Sequence, residues 1–468
     1  MTAKVTEAFG RQIAKSFYES IRNNLNDDRY YATVGFVTDS EYLRYGDVDY
    51  DSETSEFYGG VDSDFGRDDS VLYSQNIITM HRILAGGVSR VVPRVNWVRN
   101  NTYESWSDTA TNYYVLVREF ISGVPQLNVY KCLYSPGTPS INPPTGGFTA
   151  PTRTADGYYW QFLYTIDNSS AIRFLTEDWM PVPEKVQQSE VASLTRGTAR
   201  YRQWVLQQNA QRGTIYSIGE VSSDFLDSDS DAINVFAVSG NGSEATTFTG
   251  SIFWDSSRQR TSFRLTQPGV GYTNDARIHR DSVDGPTLSV RPNVSPGFGH
   301  GGDAPLELNA QNLMLVVRNV PQGDFLPLAT NEFKMVNLVL NPIDRITNNL
   351  AQNDFYIACR YFDTDGPHEF RENDRIKSGM SGESEAIVVA VSSRRVYYVI
   401  DKENQEAPFI NDSDTVYSLD ESKSVVVRSS FNRQVIFDSH ETIVADFKLA
   451  NTTRSQDQIE SLNFILKF

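Results

Sequence analysis

Apolar residues recur every four positions near the start of the chain, at Phe9, Ile13, Phe17, Ile21 and Leu25. That spacing draws one stripe along an amphipathic helix. Thr6 is placed to cap its start, Glu7 sits in its first turn, and the Asn/Asp-rich run over 23–28 ends it. Such a stripe either packs on the protein's own core or docks a neighbouring subunit. Between 39 and 70 the periodicity vanishes, and an acidic stretch rich in Gly, Ser and Tyr reads as a long surface loop. In an assembly protein, a loop of this kind is a segment that orders on a neighbour.

Short aromatic and β-branched runs then take over, at 111–120, 128–134 and 157–166. The Pro- and Gly-rich stretch 135–157 separates the last two and reads as loop. Residues 190–210 carry a moderately helical pattern with an exposed charged and amide face. Strand-like runs at 215–221, 233–238, 248–254 and 262–273 predict a separate small β unit over about 213–296, followed by a Gly-rich joint at 295–305. Buried-strand character resumes at 311–320 and 333–344, the latter stopping at Asn341-Pro342. Four more runs between 355 and 430, spaced by roughly a dozen residues, suggest a small barrel or sandwich. The chain closes on the alternating strand Leu462, Phe464, Leu466, Phe468.

The expected fold is therefore mainly β (α+β) and multi-domain, a β-sandwich-type core with an N-terminal amphipathic helix and small β units. With 468 residues, 39% apolar and 12% aromatic, the chain has material for a substantial core. A net charge of −17 argues against nucleic acid as a partner. Two cysteines far apart, Cys132 and Cys359, suit a reducing compartment. The charged N-terminus is unlike a signal peptide, and no apolar run has the length of a membrane span. A soluble protein made in a cytoplasm is expected.

Candidate chemistry is sparse. Gly297, Gly299 and Gly302 have dinucleotide-loop spacing, but the flanking prolines and Asp303-Ala304-Pro305 supply neither the strand before nor the helix after. Asp47, Asp49 and Asp51, and again Asp227, Asp229 and Asp231, open like calcium loops without the later Gly and Glu. His368-Glu369 and His440-Glu441 lack a second zinc-ligand histidine, and Ser381 lacks a nucleophile-elbow frame. Trp97, Trp106, Trp160 and Trp179 read as core or interface anchors sooner than as a sugar platform. No catalytic residue, cofactor or metal is nominated, and the protein is not expected to be an enzyme.

Several blocks, in order, resemble the baseplate wedge protein of T-even-like contractile-tailed phages. They are the 17–21 helix end and the 69–83 segment, taken as a helix, leading to Pro93, Arg94 and Trp97. Cys132 in VYKCL, then Asp156, Gly157 and Trp160 in DGYYW, and Pro181 and Pro183 in MPVP continue the likeness. Late in the chain Asn341 and Pro342 end a similar strand, and the terminal FILKF is similar again. The resemblance implies a structural virion protein of the tail baseplate that pairs as a homodimer and binds other wedge proteins, with no nucleic acid or membrane partner. It also implies rearrangement on sheath contraction and, because this chain is longer than the family's compact member, it makes 201–310 and 349–435 two inserted small β modules on a core over 1–200, completed by 311–348 and 436–468. The apolar stripe itself makes Phe9, Ile13, Phe17 and Ile21 a candidate interface. The competing expectation is a receptor-binding or fibre-like virion protein gripping host glycan.

Overall fold

The computed structural model describes residues 6–23, 27–35, 49–51, 56–58, 74, 76–121, 123–222, 225–239, 247–280, 287–318, 335–379, 386–400, 410–447 and 461–468. Strand (42%) outweighs helix (14%) threefold, so the mainly-β, multi-domain expectation holds. The chain forms two compact units. The first comprises Met1–Lys15, Ser89–Met314 and Leu466–Phe468; the second comprises Ser16–Val88 and Leu315–Ile465.

In the first unit, Tyr114–Ile121, Val124–Tyr134, Tyr159–Ile166 and Thr152–Arg153 form an antiparallel sheet in that order. Both of its faces are covered. Tyr114, Leu116, Val129 and Leu163 pack on Met180, Val182 and Leu308, while Val115, Val117, Tyr130, Cys132 and Trp160 pack on Tyr103, Tyr158 and Leu206. A sheet buried on both sides has no polar face to alternate with, which explains why these runs read as continuously apolar. Leu206 comes from the helix Ala199–Asn209, whose N-cap Thr198 accepts from the Tyr201 amide.

The strands Ile233–Val238, Thr249–Asp255, Arg260–Gln267 and Arg277–Arg280 form a second antiparallel sheet, and Ile215–Ile218 pairs with Pro292–Val294. Their own core holds Ile215, Val235, Phe248, Ile252 and Ile278.

The second unit has a five-stranded sheet in the order Phe355–Ile357, Ile77–Arg82, Tyr30–Gly35, Met335–Leu340, Glu441–Phe447. It also has a closed six-stranded barrel built from strands between Arg360 and Phe431. The barrel interior is filled by Phe362, Ile376, Val388, Val396, Tyr398, Ile410, Val416 and Val427, as a barrel of few strands requires.

Three expectations need correction. Of the 69–83 segment taken as a helix, Ser74 is helical, but Ile77–Arg82 is an interior strand of the five-stranded sheet, as its β-branched Ile77, Ile78 and Thr79 favour. The helix does form, Glu7–Asn23, with Thr6 Oγ1 accepting from the Phe9 amide. Its buried line, however, is Gly10, Ala14, Tyr18 and Ile21, while Phe9 is 56% exposed. Small residues win the contact because the approach is close: a Cβ on Gly10 would lie 2.9 Å from Gln311 Oε1 and 3.0 Å from the Phe468 carbonyl. Ile13 and Phe17 flank that line half-buried, with Phe17 edge-on to Tyr30 at 5.1 Å. Leu25 lies outside the described residues.

Finally, the expected 39–70 loop contains a short antiparallel ladder, Asp49–Asp51 with Glu56–Tyr58; the rest of it lies outside the described residues. The C-terminal strand is present as Ser461–Lys467, last in a four-stranded sheet.

Candidate functional site

The residues singled out in the first half of the sequence meet in the first unit. Pro93 ends the strand Val88–Pro93 and stands opposite Trp179 in the antiparallel ladder, so the Pro-Arg and Trp-Met-Pro-Val blocks pair directly. The Arg94 guanidinium donates to the Thr176 carbonyl at 2.7 Å, and its own amide donates to the Asp178 carbonyl. Pro181 accepts from the buried Tyr164 hydroxyl at 3.1 Å, and Pro183 follows at the strand's end.

Trp97 Nε1 donates to Ser140 Oγ at 3.2 Å, and Ser140 in turn donates to Asp156 Oδ2 at 3.0 Å. That same carboxylate oxygen accepts the Ile141 and Asn142 amides. Burial pulls Asp156 upward, but these donors outweigh it and hold the carboxyl below its ordinary range. Asp156 thus pins the Pro-rich loop, and Gly157, at φ +93°, turns the chain into the next strand where a Cβ would be strained. Cys132 and Trp160 are cross-strand partners, both buried; burial pushes the Cys132 thiol well up, so it is an inert packing group.

Asn341 and Pro342 lie in the second unit. Asn341 adopts φ +54°; its Oδ1 accepts the Arg29 amide at 2.7 Å and its Nδ2 donates to Asp28 at 3.0 Å. Pro342 accepts from the Ala351 amide. Replacing Asn341 with Ala is expected to cost about 1–3 kcal/mol, since two polar groups lose their partner and Ala tolerates the left-handed region less well than Asn. Urea unfolding followed by circular dichroism reads this loss, and Asn341→Asp, which keeps the acceptor but sets a second carboxylate against Asp28, is expected to lose no less at neutral pH.

Sequence reasoning missed the most polar buried cluster. Lys131 and Glu307 are fully buried, with Nζ 3.0 Å from Oε2, and Lys131 lies 4.0 Å from the centre of the Trp106 ring. His300 Nδ1 is 3.1 Å from Lys131 Nζ, its ring edge-on to Trp106. Glu307 Oε1 accepts the Gly301 amide at 2.6 Å. Burial pushes the Glu307 carboxyl up, but Lys131 and His300 outweigh it and keep it below its usual range. Burial first, then the Lys131 charge, lowers His300 to about 4. The only legible trace was a lysine inside an apolar strand; its partner lies 176 residues away.

The glycine motif is explained by the same cluster. A strand, Pro292–Val294, does precede it and a four-residue helix, Ala304–Glu307, does follow, contrary to expectation. Yet the loop amide of Gly301 is taken by this protein's own carboxylate, leaving a tight turn with φ +79° at Gly299 and +85° at Gly301.

The other candidates disperse. Asp227 is consumed by Ser230 and the Asp229 amide, and Asp49 and Asp51 stand in the short ladder; Asp47 and Ser381 lie outside the described residues. His368 Nε2 bonds the Ser392 carbonyl and His440 Nε2 bonds Ser74. The four tryptophans do not share one face: Trp160 stacks on Tyr158, Trp106 covers Lys131, Trp97 bonds Ser140, and Trp179 lies under Lys467. No described helix is long and apolar enough to cross a membrane.

Where Tyr114–Ile121 leads into Val124–Tyr134, Phe120 is 68% and Val124 56% exposed. No protein-family model matches the chain, and no curated protein matches it.

Proposed function

We propose that this chain is a structural virion protein, a baseplate wedge subunit of a contractile phage tail, made in the host bacterial cytoplasm. It pairs as a homodimer, links other wedge proteins and rearranges on sheath contraction. The observation that supports this reading is the interlocking of the resemblance blocks. Pro93 with Trp179, Arg94 with Thr176 and Trp97 with Asp156 through Ser140 are joined in one double-faced core. The exposed Phe120 and Val124 supply an anchor of the kind assembly interfaces bury.

Light scattering on the purified chain is expected to give twice its 52.7 kDa mass. Co-expression with candidate baseplate wedge proteins is expected to yield a complex that Phe120→Asp weakens by about tenfold or more. A trimer that ignores those proteins and binds host glycan would replace this reading with the fibre-like one.

A further inference from the structure

Lys131 and Gln161 stand opposite one another in the antiparallel ladder, so their side chains leave the sheet on the same face. Both are buried there, Lys131 completely and Gln161 to within 1%. A buried amide needs partners for its two donors and for its acceptor. Gln161 Nε2 donates to the Thr149 carbonyl at 3.2 Å and to the Phe162 carbonyl at 2.9 Å, which fixes the orientation of the amide. Its Oε1 accepts no hydrogen bond from the described residues.

The Gly-rich turn brings His300 to the same place. A Cβ on Gly299 would lie 2.6 Å from the Gln211 carbonyl oxygen, and one on Gly301 would lie 2.8 Å from the Leu206 side chain. The turn thus sits against the end of the helix Ala199–Asn209 and carries His300, 5% exposed, to Lys131. An ammonium only donates; Lys131 gives one proton to Glu307 Oε2 at 3.0 Å and another to His300 Nδ1 at 3.1 Å. Nδ1 is therefore the acceptor, and the ring carries its own proton on Nε2. Burial first, then the Lys131 charge, keeps that ring neutral. Nε2 has no hydrogen-bond partner among the described residues.

His300 and Gln161 wall one open cavity of about 120 Å³, with the exposed Asn209 and Gln211 at its rim. Six of its eight lining residues have hydrogen-bonding side chains, and none is a carboxylate. A closed cavity of about 150 Å³ holds a benzene ring, so this space admits a group the size of one side-chain head. The complement of an N–H donor beside a C=O acceptor is a carbonyl joined to an N–H. A carboxylate would set an oxygen against Gln161 Oε1, and a cation would meet the Nε2 proton. We infer that the cavity binds a primary carboxamide, its carbonyl accepting from His300 Nε2 and its amino group donating to Gln161 Oε1. The inference is independent of the assembly role.

The test is NMR of the full chain labelled with ¹⁵N-histidine, in which His300 is one of five histidines. Titration with acetamide is expected to shift His300 Nε2 saturably, half-saturating at about millimolar concentration, as suits so small a ligand. Sodium acetate, and N,N-dimethylacetamide, which has no N–H to give, are each expected to bind about tenfold or more weakly. N-acetylglutamine methylamide carries the same group on a peptide backbone. Tighter binding than acetamide marks the glutamine side chain of a partner polypeptide as the source, and weaker binding marks a free small amide. His300→Phe assigns the resonance by its disappearance and is expected to remove saturation transfer from the protein to the acetamide methyl group. Should that variant fail to fold, the ligand series on the unaltered chain still decides. The inference is overturned by a His300 proton on Nδ1, by the absence of a saturable shift with acetamide, or by equal binding of acetamide, acetate and dimethylacetamide.

Discussion

Glu307→Gln is expected to destabilise the first unit by about 3–5 kcal/mol, the cost of leaving a buried charge without its partner. Lys131 and Glu307 have fully buried side chains, and the pair is closed by the Trp106 face, His300 and the Gly301 amide. The neutral amide keeps the shape of the carboxylate, so the loss is electrostatic and not a cavity effect. All six tryptophans, Trp97, Trp106, Trp160, Trp179, Trp204 and Trp254, lie in the first unit. Tryptophan fluorescence during urea unfolding therefore reports that unit alone. Lys131→Met combined with Glu307→Gln is expected to recover most of the stability, because an ion pair exchanged whole for neutral groups is close to neutral or better. If Glu307→Gln alone leaves the fluorescence midpoint in place, the buried pair is not what holds the short helix Ala304–Glu307 against the sheet.

Acidification from pH 6.5 to 4.5 is expected to weaken both units well before most carboxylates protonate. Burial lowers His81, His300 and His440 each to about 4, below the ordinary value of 6.5. For a base whose folded value is depressed, the unfolded chain takes up the proton first. Stability is thus complete above pH 6.5 and falls as the pH drops towards 4. Each histidine contributes about 2–3 kcal/mol over this interval. His300 acts in the first unit, where Lys131 opposes its protonation and Glu307 favours it. His81 and His440 act in the second; Arg433 opposes and Asp438 favours protonation of His440. Urea midpoints by tryptophan fluorescence and by circular dichroism, collected across this range, separate the two. His300→Gln is expected to flatten the fluorescence profile, and His81→Gln the other. A fluorescence midpoint that does not change from pH 6.5 to 4.5 would show that His300 is not held neutral by its surroundings.

Much of the fold was legible because it is written locally. The runs at 111–120, 128–134 and 157–166 became strands, the Pro-Gly stretch between the last two is mostly loop, and Thr6 caps the helix it was expected to cap. The helix face was misjudged by one position because periodicity weighs size and polarity. Which side is buried was decided by how closely Gly10 and Ala14 let other chain segments approach. The second half of the 69–83 segment departed from expectation for a related reason: a sheet interior accepted Ile77, Ile78 and Thr79, while Ser74 before them is helical.

The sequence by itself determined the class of structure, the turns, the caps and the scarcity of catalytic vocabulary, since these depend on neighbours a few residues apart. Only the tertiary structure decided what stands against what. It brought Lys131 to Glu307 and Asn341 to Arg29. Contacts between residues tens to hundreds of positions apart leave no period in the sequence. Burial, which sets the charge state of His300 and makes the Lys131 pair costly to break, is a property of the folded packing alone.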